Sequence, residues 1–158
     1  MIKVIAVGKI KEDYLSDAIK EYSKRLSSYT GLEIIQVADE KCAEKISDKE
    51  ADRVKQKEAE RMLKNIKDDD FVITLEIGGK QMSSEELSGF IKDLEVSGKS
   101  SIVFVIGGSI GLHSSVSSRS NYKLSFSKMT FPHQLMRVIL LEQIYRAYKI
   151  MKGEPYHK

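Results

Sequence analysis

The chain has 158 residues, 41% apolar and 31% charged, the mixture of a globular protein with a core of its own, and is read as a single domain over residues 1–158. That composition excludes a disordered chain, and no apolar run approaches the ~20 residues needed to cross a bilayer. Net charge is +3, but Arg119 to Lys158 holds eight basic residues against Glu142 and Glu154, for +6, leaving −3 for residues 1–118. A basic segment on a nearly neutral protein suits a polyanion such as RNA; a lysine-rich solvated surface gives the same count.

The N-terminus, Met1 to Gly8, is too short and too β-branched for a signal peptide and reads as a first strand over Ile2–Val7. Tyr14, Leu15, Ala18, Ile19, Tyr22 and Leu26 recur at helical spacing, and Leu32–Val37 is a second strand. Cys42, the only cysteine, lies in a charged loop, so neither an internal disulfide nor a Cys-x-x-Cys pair exists, and a reducing cytoplasm is expected. Ser47 with Glu50 has the form of a capping box opening a charged helix to about Ile66. Phe71–Ile77 is a third strand, ended by Gly78-Gly79. Ser83 with Glu86 opens a helix whose buried stripe is Leu87, Phe90, Ile91 and Leu94. Ile102–Ile106 is the strongest strand and runs into Gly107-Gly108; a short helical turn over Ser114–Ser118 and a fifth strand over Tyr122–Phe126 follow.

The last helix is expected from about Pro132, suited to a first turn, to about Lys152. Its apolar residues, Leu135 to Met151, point around most of its circumference, so it must be covered on more than one side, by a second subunit or by a central position in one chain. Near-continuous apolar strands alternating with helices predict an α/β fold with a mainly parallel sheet and helices on both faces.

Chemistry is expected at the glycine-bearing strand ends. Gly107-Gly108-Ser109-Ile110-Gly111 permits close backbone approach to a ligand, but it has neither the GxGxxG spacing nor a Walker lysine, and a ligand-free turn reads the same way. Ser125–His133 joins a strand to the last helix and mixes hydroxyls with Met129 and Phe131, a loop able to bind an adenine edge or simply to cap the helix through Thr130. Along that helix, His133 and Arg137 share one face, and so do Glu142 and Arg146. Arg146 can hold a phosphate or base while Glu142 orients it, or the two can form a plain surface ion pair. Tyr156 can stack on a base and His157 can move a proton near neutral pH; a frayed terminus is the bland alternative. The three histidines, His113, His133 and His157, are too scattered to predict a metal site, and no GxSxG elbow is present.

Val7-Gly8-Lys9, Leu75 to Lys80, Phe104 to Gly108, Leu124 to Ser127, Thr130 to His133, Arg137-Val138, Glu142 to Ala147 and Pro155-Tyr156-His157, taken in order, closely resemble the RlmH family of SPOUT-class methyltransferases. The resemblance covers essentially the whole chain. It implies an α/β domain with a C-terminal trefoil knot, a homodimer formed through the last helix, and S-adenosylmethionine as cofactor. Carried over by position, the cofactor contacts are Leu75, Gly107, Phe126, Ser127, Lys128, Met129, Thr130 and Phe131. The implied reaction is methylation of N3 of pseudouridine 1915, in helix 69 of the large-subunit (23S) ribosomal RNA, on assembled ribosomes. His157, Tyr156, Arg146, Glu142 and His133 are then expected to position the base or take its proton, with His157 as acceptor or as a purely positional group. One departure stands out: Ile110 occupies a position often polar in that family. The rival readings are a non-catalytic RNA- or ribosome-binding factor and a nucleotide-binding regulatory domain.

Overall fold

The computed structural model describes residues 1–158. In chain order the elements are β1 (Ile2–Val7), α1 (Asp13–Leu26), β2 (Leu32–Val37), α2 (Asp48–Leu63), β3 (Phe71–Gln81), α3 (Ser84–Val96), β4 (Ile102–Ile106), α4 (Ser114–Arg119), β5 (Tyr122–Ser125) and α5 (His133–Met151). The five strands form one parallel sheet in the order β2-β1-β4-β3-β5, with Ala6 beside Ile106 and Val7 beside Val37 at the carboxyl edge.

The period-two alternation of side chains divides the apolar strands between two cores. Ile2, Val4 and Ala6 of β1 and Ile102, Phe104 and Ile106 of β4 pack with Leu26 of α1, Leu87 and Ile91 of α3, and Leu140, Leu141 and Ile144 of α5. Ile5, Val7, Val103 and Val105 point the other way, onto Ala59 and Met62 of α2 and Val116 of α4. Helices therefore cover both faces, as the continuous apolar strands predicted.

Helix α5 lies between α1 and α3 over the larger core, which buries Met136, Leu140, Leu141, Ile144, Tyr145, Ala147 and Tyr148 within one chain. Much of its apolar circumference is thus covered by this chain itself. The stripe left uncovered holds Leu135, Val138, Ile139, Glu142 and Arg146, all half-buried or exposed.

Several boundaries differ from the sequence expectation. Gly78-Gly79 does not end β3, which continues to Gln81. Instead the β3–β5 register jumps: Leu75 and Lys80 both pair with Leu124, and the four residues between them leave the ladder. Gly79 then lies so close to β5 that a Cβ there would stand 2.6 Å from the Lys123 carbonyl oxygen. Close approach, not chain reversal, is what this glycine provides. Helix α2 stops at Leu63, where the chain tightens into three-residue turns through Asn65 and Ile66. Ser47 accepts the Glu50 N–H as expected, but only Ser83 and Glu86 complete the reciprocal box. Pro132 caps α5 from outside, and Phe126 lies beyond β5.

Helix α3 leaves the end of β3 toward the α5 face, whereas α4 leaves the end of neighbouring β4 toward the α2 face. Adjacent parallel strands whose connections diverge leave a crevice at their carboxyl ends, the usual place for a ligand in open α/β sheets.

Candidate active site

The loops that follow β4 and β5, together with the section of β3 that leaves the ladder, enclose a cavity of about 860 Å³ at this carboxyl edge. Its walls are Leu75 to Gly78, Ile106 to Leu112, and Leu124 to Ser127 with Met129 to His133 and Met136. Two loops have their shapes fixed locally. Gly111 donates to the Gly108 carbonyl (3.1 Å) and has φ +90°, and a Cβ on Gly107 would stand 3.0 Å from the Gly111 carbonyl carbon, so a side chain at either position would strain the turn. In the second loop, Ser125 Oγ donates to the Ser127 carbonyl (3.0 Å) and Ser127 Oγ accepts the Met129 N–H (3.0 Å). That loop presents Met129, 73% exposed, and Phe131, 36% exposed, on the cavity rim. Apolar side chains held out of the core beside a concave site suit the face of a planar ligand.

Two titratable residues, Glu76 and His133, belong to the wall of this cavity. Glu76 is half-buried; its carboxylate accepts from Thr74 Oγ1 (2.6 Å) and from Ser117 Oγ (3.0 and 3.1 Å). His133 has its pKa lowered, first by burial and then by the charge of Arg137, so it is neutral at pH 7.

A second polar cluster gathers around the end of α5 and the C-terminal tail. Arg146 Nε donates to Glu142 Oε1 (3.0 Å), with Nη2 directed at the same oxygen, and Tyr156 OH donates to that oxygen as well (3.0 Å). The guanidinium lies 4.8 Å from the Tyr156 ring centroid. Arg146 Nη1 is 3.0 Å from His157 Nδ1, and His157 Nε2 is 2.7 Å from Glu85 Oε1. Because guanidinium only donates, Nδ1 must be the acceptor, which leaves the proton on Nε2 facing Glu85. Burial, then the bond to Glu142, pushes the Tyr156 phenol up to about 12, so it acts as a neutral donor. The tail is therefore built into the structure; Tyr29 and Lys149 also fasten it through Glu154 (2.6 and 2.8 Å).

The chain matches, over residues 1–157, the family described as "Predicted SPOUT methyltransferase". It belongs to the SPOUT methyltransferase family. A protein of Methanococcus maripaludis is 65% identical over 157 residues, covering 99% of both chains. Relatives named ribosomal RNA large subunit methyltransferase H are 60% identical in Clostridium tetani and 58% identical in Enterococcus faecalis, again over 99% of both chains.

Within this SPOUT chain, Leu75, Gly107, Phe126, Ser127, Met129, Thr130 and Phe131 line one cavity, whereas Lys128, on the same loop, is exposed and outside its lining. The five residues expected to handle the base separate into two places. Glu142, Arg146, Tyr156 and His157 converge at the tail, but His133 stands on the cavity wall at the opposite end of α5. Glu142 lies nine positions after His133, about 13 Å along a helix. Arg137 does not share an exposed face with His133: it is 1% exposed, and its Nη2 donates to the Val7 and Gly8 carbonyls (2.6 and 2.8 Å), which removes it from the basic surface. Sequence reasoning passed over Glu76, although an acid near the end of an otherwise apolar strand is the signal that marks it. No three His, Cys, Asp or Glu side chains converge as metal ligands.

Proposed function

We propose that this protein transfers a methyl group from S-adenosylmethionine to large-subunit ribosomal RNA, at N3 of pseudouridine 1915 in helix 69, on assembled ribosomes in the cytoplasm. The observation that carries the reading is the carboxyl-edge cavity, built from three strand-end segments in a chain of the SPOUT methyltransferase family. The relatives' name supplies the substrate class.

The cavity fits the cofactor. Its volume lies within the range of small-molecule sites, its walls are largely apolar, the glycine turn brings backbone groups to the surface, and Glu76 offers an anion to a cationic ligand. Leu75, Gly107 and the Phe126–Phe131 loop would hold it, within the trefoil knot implied by the family. When bound, the cofactor supplies an electrophilic methyl group; the protein's own tasks are alignment, exclusion of water and care of the N3 proton. Neutral His133 stands on the cavity wall as a hydrogen-bonding group for the incoming ring. Arg146, fixed by Glu142 and flanked by Tyr156, provides a preorganised guanidinium for a phosphate or base. His157 holds Arg146 in place rather than taking the proton, since its free lone pair is already engaged.

The tail cluster and the cavity are apart within one chain. A homodimer through the uncovered stripe of α5, with the two helices antiparallel about a two-fold axis, would bring the tail of one copy toward the cavity end of the other. Leu135, Val138 and Ile139 supply the apolar contact for that pairing.

Transfer of labelled methyl groups to assembled ribosomes, free large subunits and bare ribosomal RNA tests the reading. The expected result is label on the ribosomal RNA of assembled ribosomes, with a primer-extension stop at position 1915 that disappears when the pseudouridine there is absent. RNA binding without any methyl transfer would instead identify a non-catalytic ribosome-binding factor.

A further inference from the structure

Five acidic side chains in this protein are not exposed: Glu40, Glu58, Asp70, Glu76 and Glu142. Three have a cation within 4.0 Å, namely Lys57 and Arg61 for Glu40, Lys3 for Asp70 and Arg146 for Glu142. Glu58 has none, but it lies behind Gly108, facing protein. Glu76 also has none, and it forms part of the cavity wall. Its neighbours are the hydroxyls of Thr74, which is fully buried, and Ser117. Two hydroxyl donors fix the direction of a carboxylate without neutralising it. A carboxylate held by hydroxyls and without a cation within 4.0 Å thus belongs to a residue of the cavity wall, on the section of β3 that leaves the ladder.

We infer that Glu76 makes this cavity charge-selective, favouring the sulfonium-bearing cofactor over the thioether left after transfer, so that the spent product is released. The inference rests on the proposed cofactor. When the nitrogen–methyl bond forms, the electron pair of the breaking carbon–sulfur bond goes to sulfur, and the N3 proton leaves to solvent; the cofactor's net charge falls from +1 to zero. A fixed anion in a partly desolvated cavity attracts the first form and is indifferent to the second.

Calorimetry with S-adenosylmethionine, S-adenosylhomocysteine and sinefungin, whose ammonium replaces the sulfonium, tests this on the full chain. Glu76→Gln is expected to weaken S-adenosylmethionine and sinefungin about tenfold while S-adenosylhomocysteine stays within about twofold. Equal loss for all three ligands, as from a contact to their shared ribose, overturns the inference, and so does no loss at all. Ser117→Lys, which keeps Glu76 and neutralises it from α4, is expected to remove the same preference; an unchanged preference there counts against the charge mechanism whatever Glu76→Gln does. A wild-type protein that binds none of the three ligands would instead overturn the cofactor reading itself.

Discussion

Arg146 Nη1 and His157 Nδ1 stand 3.0 Å apart, and only the imidazole can accept in that pair. The tail histidine thus presents its lone pair to the arginine and its proton to Glu85. A group so engaged positions Arg146 and is poorly placed to receive a proton from a base. His157→Ala is expected to lower kcat/KM about tenfold, the scale of one lost charge-assisted hydrogen bond, with the shape of the pH–rate profile unchanged. A loss of 10²-fold or more, about the contribution of a general base, together with the disappearance of one limb of the pH–rate profile, would assign His157 the proton after all.

Gly79 sits against the β5 backbone. A methyl group there would meet the Lys123 carbonyl oxygen at 2.6 Å and its carbon at 2.7 Å, atoms that cannot rotate away. Gly79→Ala should cost about 3 kcal/mol in urea unfolding, at the upper end for overpacking. Gly78→Ala, whose Cβ meets nothing within 4 Å, should stay within about 0.5 kcal/mol.

Glycines of this kind show how far the sequence carries. Alternation in Ile2–Val7 and Ile102–Ile106 was enough to predict a parallel sheet with two covered faces, because side-chain direction in a strand is set locally. Gly78-Gly79 looks like a strand end in the sequence, since a glycine needed for close approach is indistinguishable there from one needed for a turn. The cavity-lining loops were legible from their composition. The separation of His133 from the tail cluster was not, because helical spacing says which residues share a face but not what each end of the face touches. Arg137 reads as part of the basic segment for a similar reason: only tertiary packing shows a cation turned inward to carbonyls at the end of β1.

That buried arginine has no carboxylate partner, and its Nε and Nη1 make no hydrogen bond. Arg137→Ala removes both bonds to the Val7 and Gly8 carbonyls and opens a hole, for an expected loss of about 3 kcal/mol. Arg137→Met keeps most of the volume and sheds an unpaired charge, and should cost under about 1.5 kcal/mol. Neither change should alter the slope of log K against log salt for ribosome binding, since a buried guanidinium touches no phosphate.

Glu58 is 4% exposed, accepts only the Glu40 N–H, and has its pKa raised, first of all by burial. Protonation is therefore easier in the folded protein than in the unfolded chain. Its contribution to stability is whole below the ordinary carboxylate range and is lost as pH rises through the elevated folded value. Glu58→Gln, which carries no charge, should raise stability at pH 7 by about 1 kcal/mol, and the gain should vanish near about pH 4. Thermal unfolding of both proteins across that range checks the sign; a destabilised Glu58→Gln at pH 7 would show that the ionised carboxylate has a favourable role.

The most direct measurement is a crystal structure of the protein with S-adenosylmethionine. Density for the cofactor between Leu75, the Gly107 turn and the Phe126–Phe131 loop, with its cationic end near Glu76, is the expected result. Cofactor density elsewhere, or a cavity filled by the protein's own side chains at saturating cofactor, would contradict it.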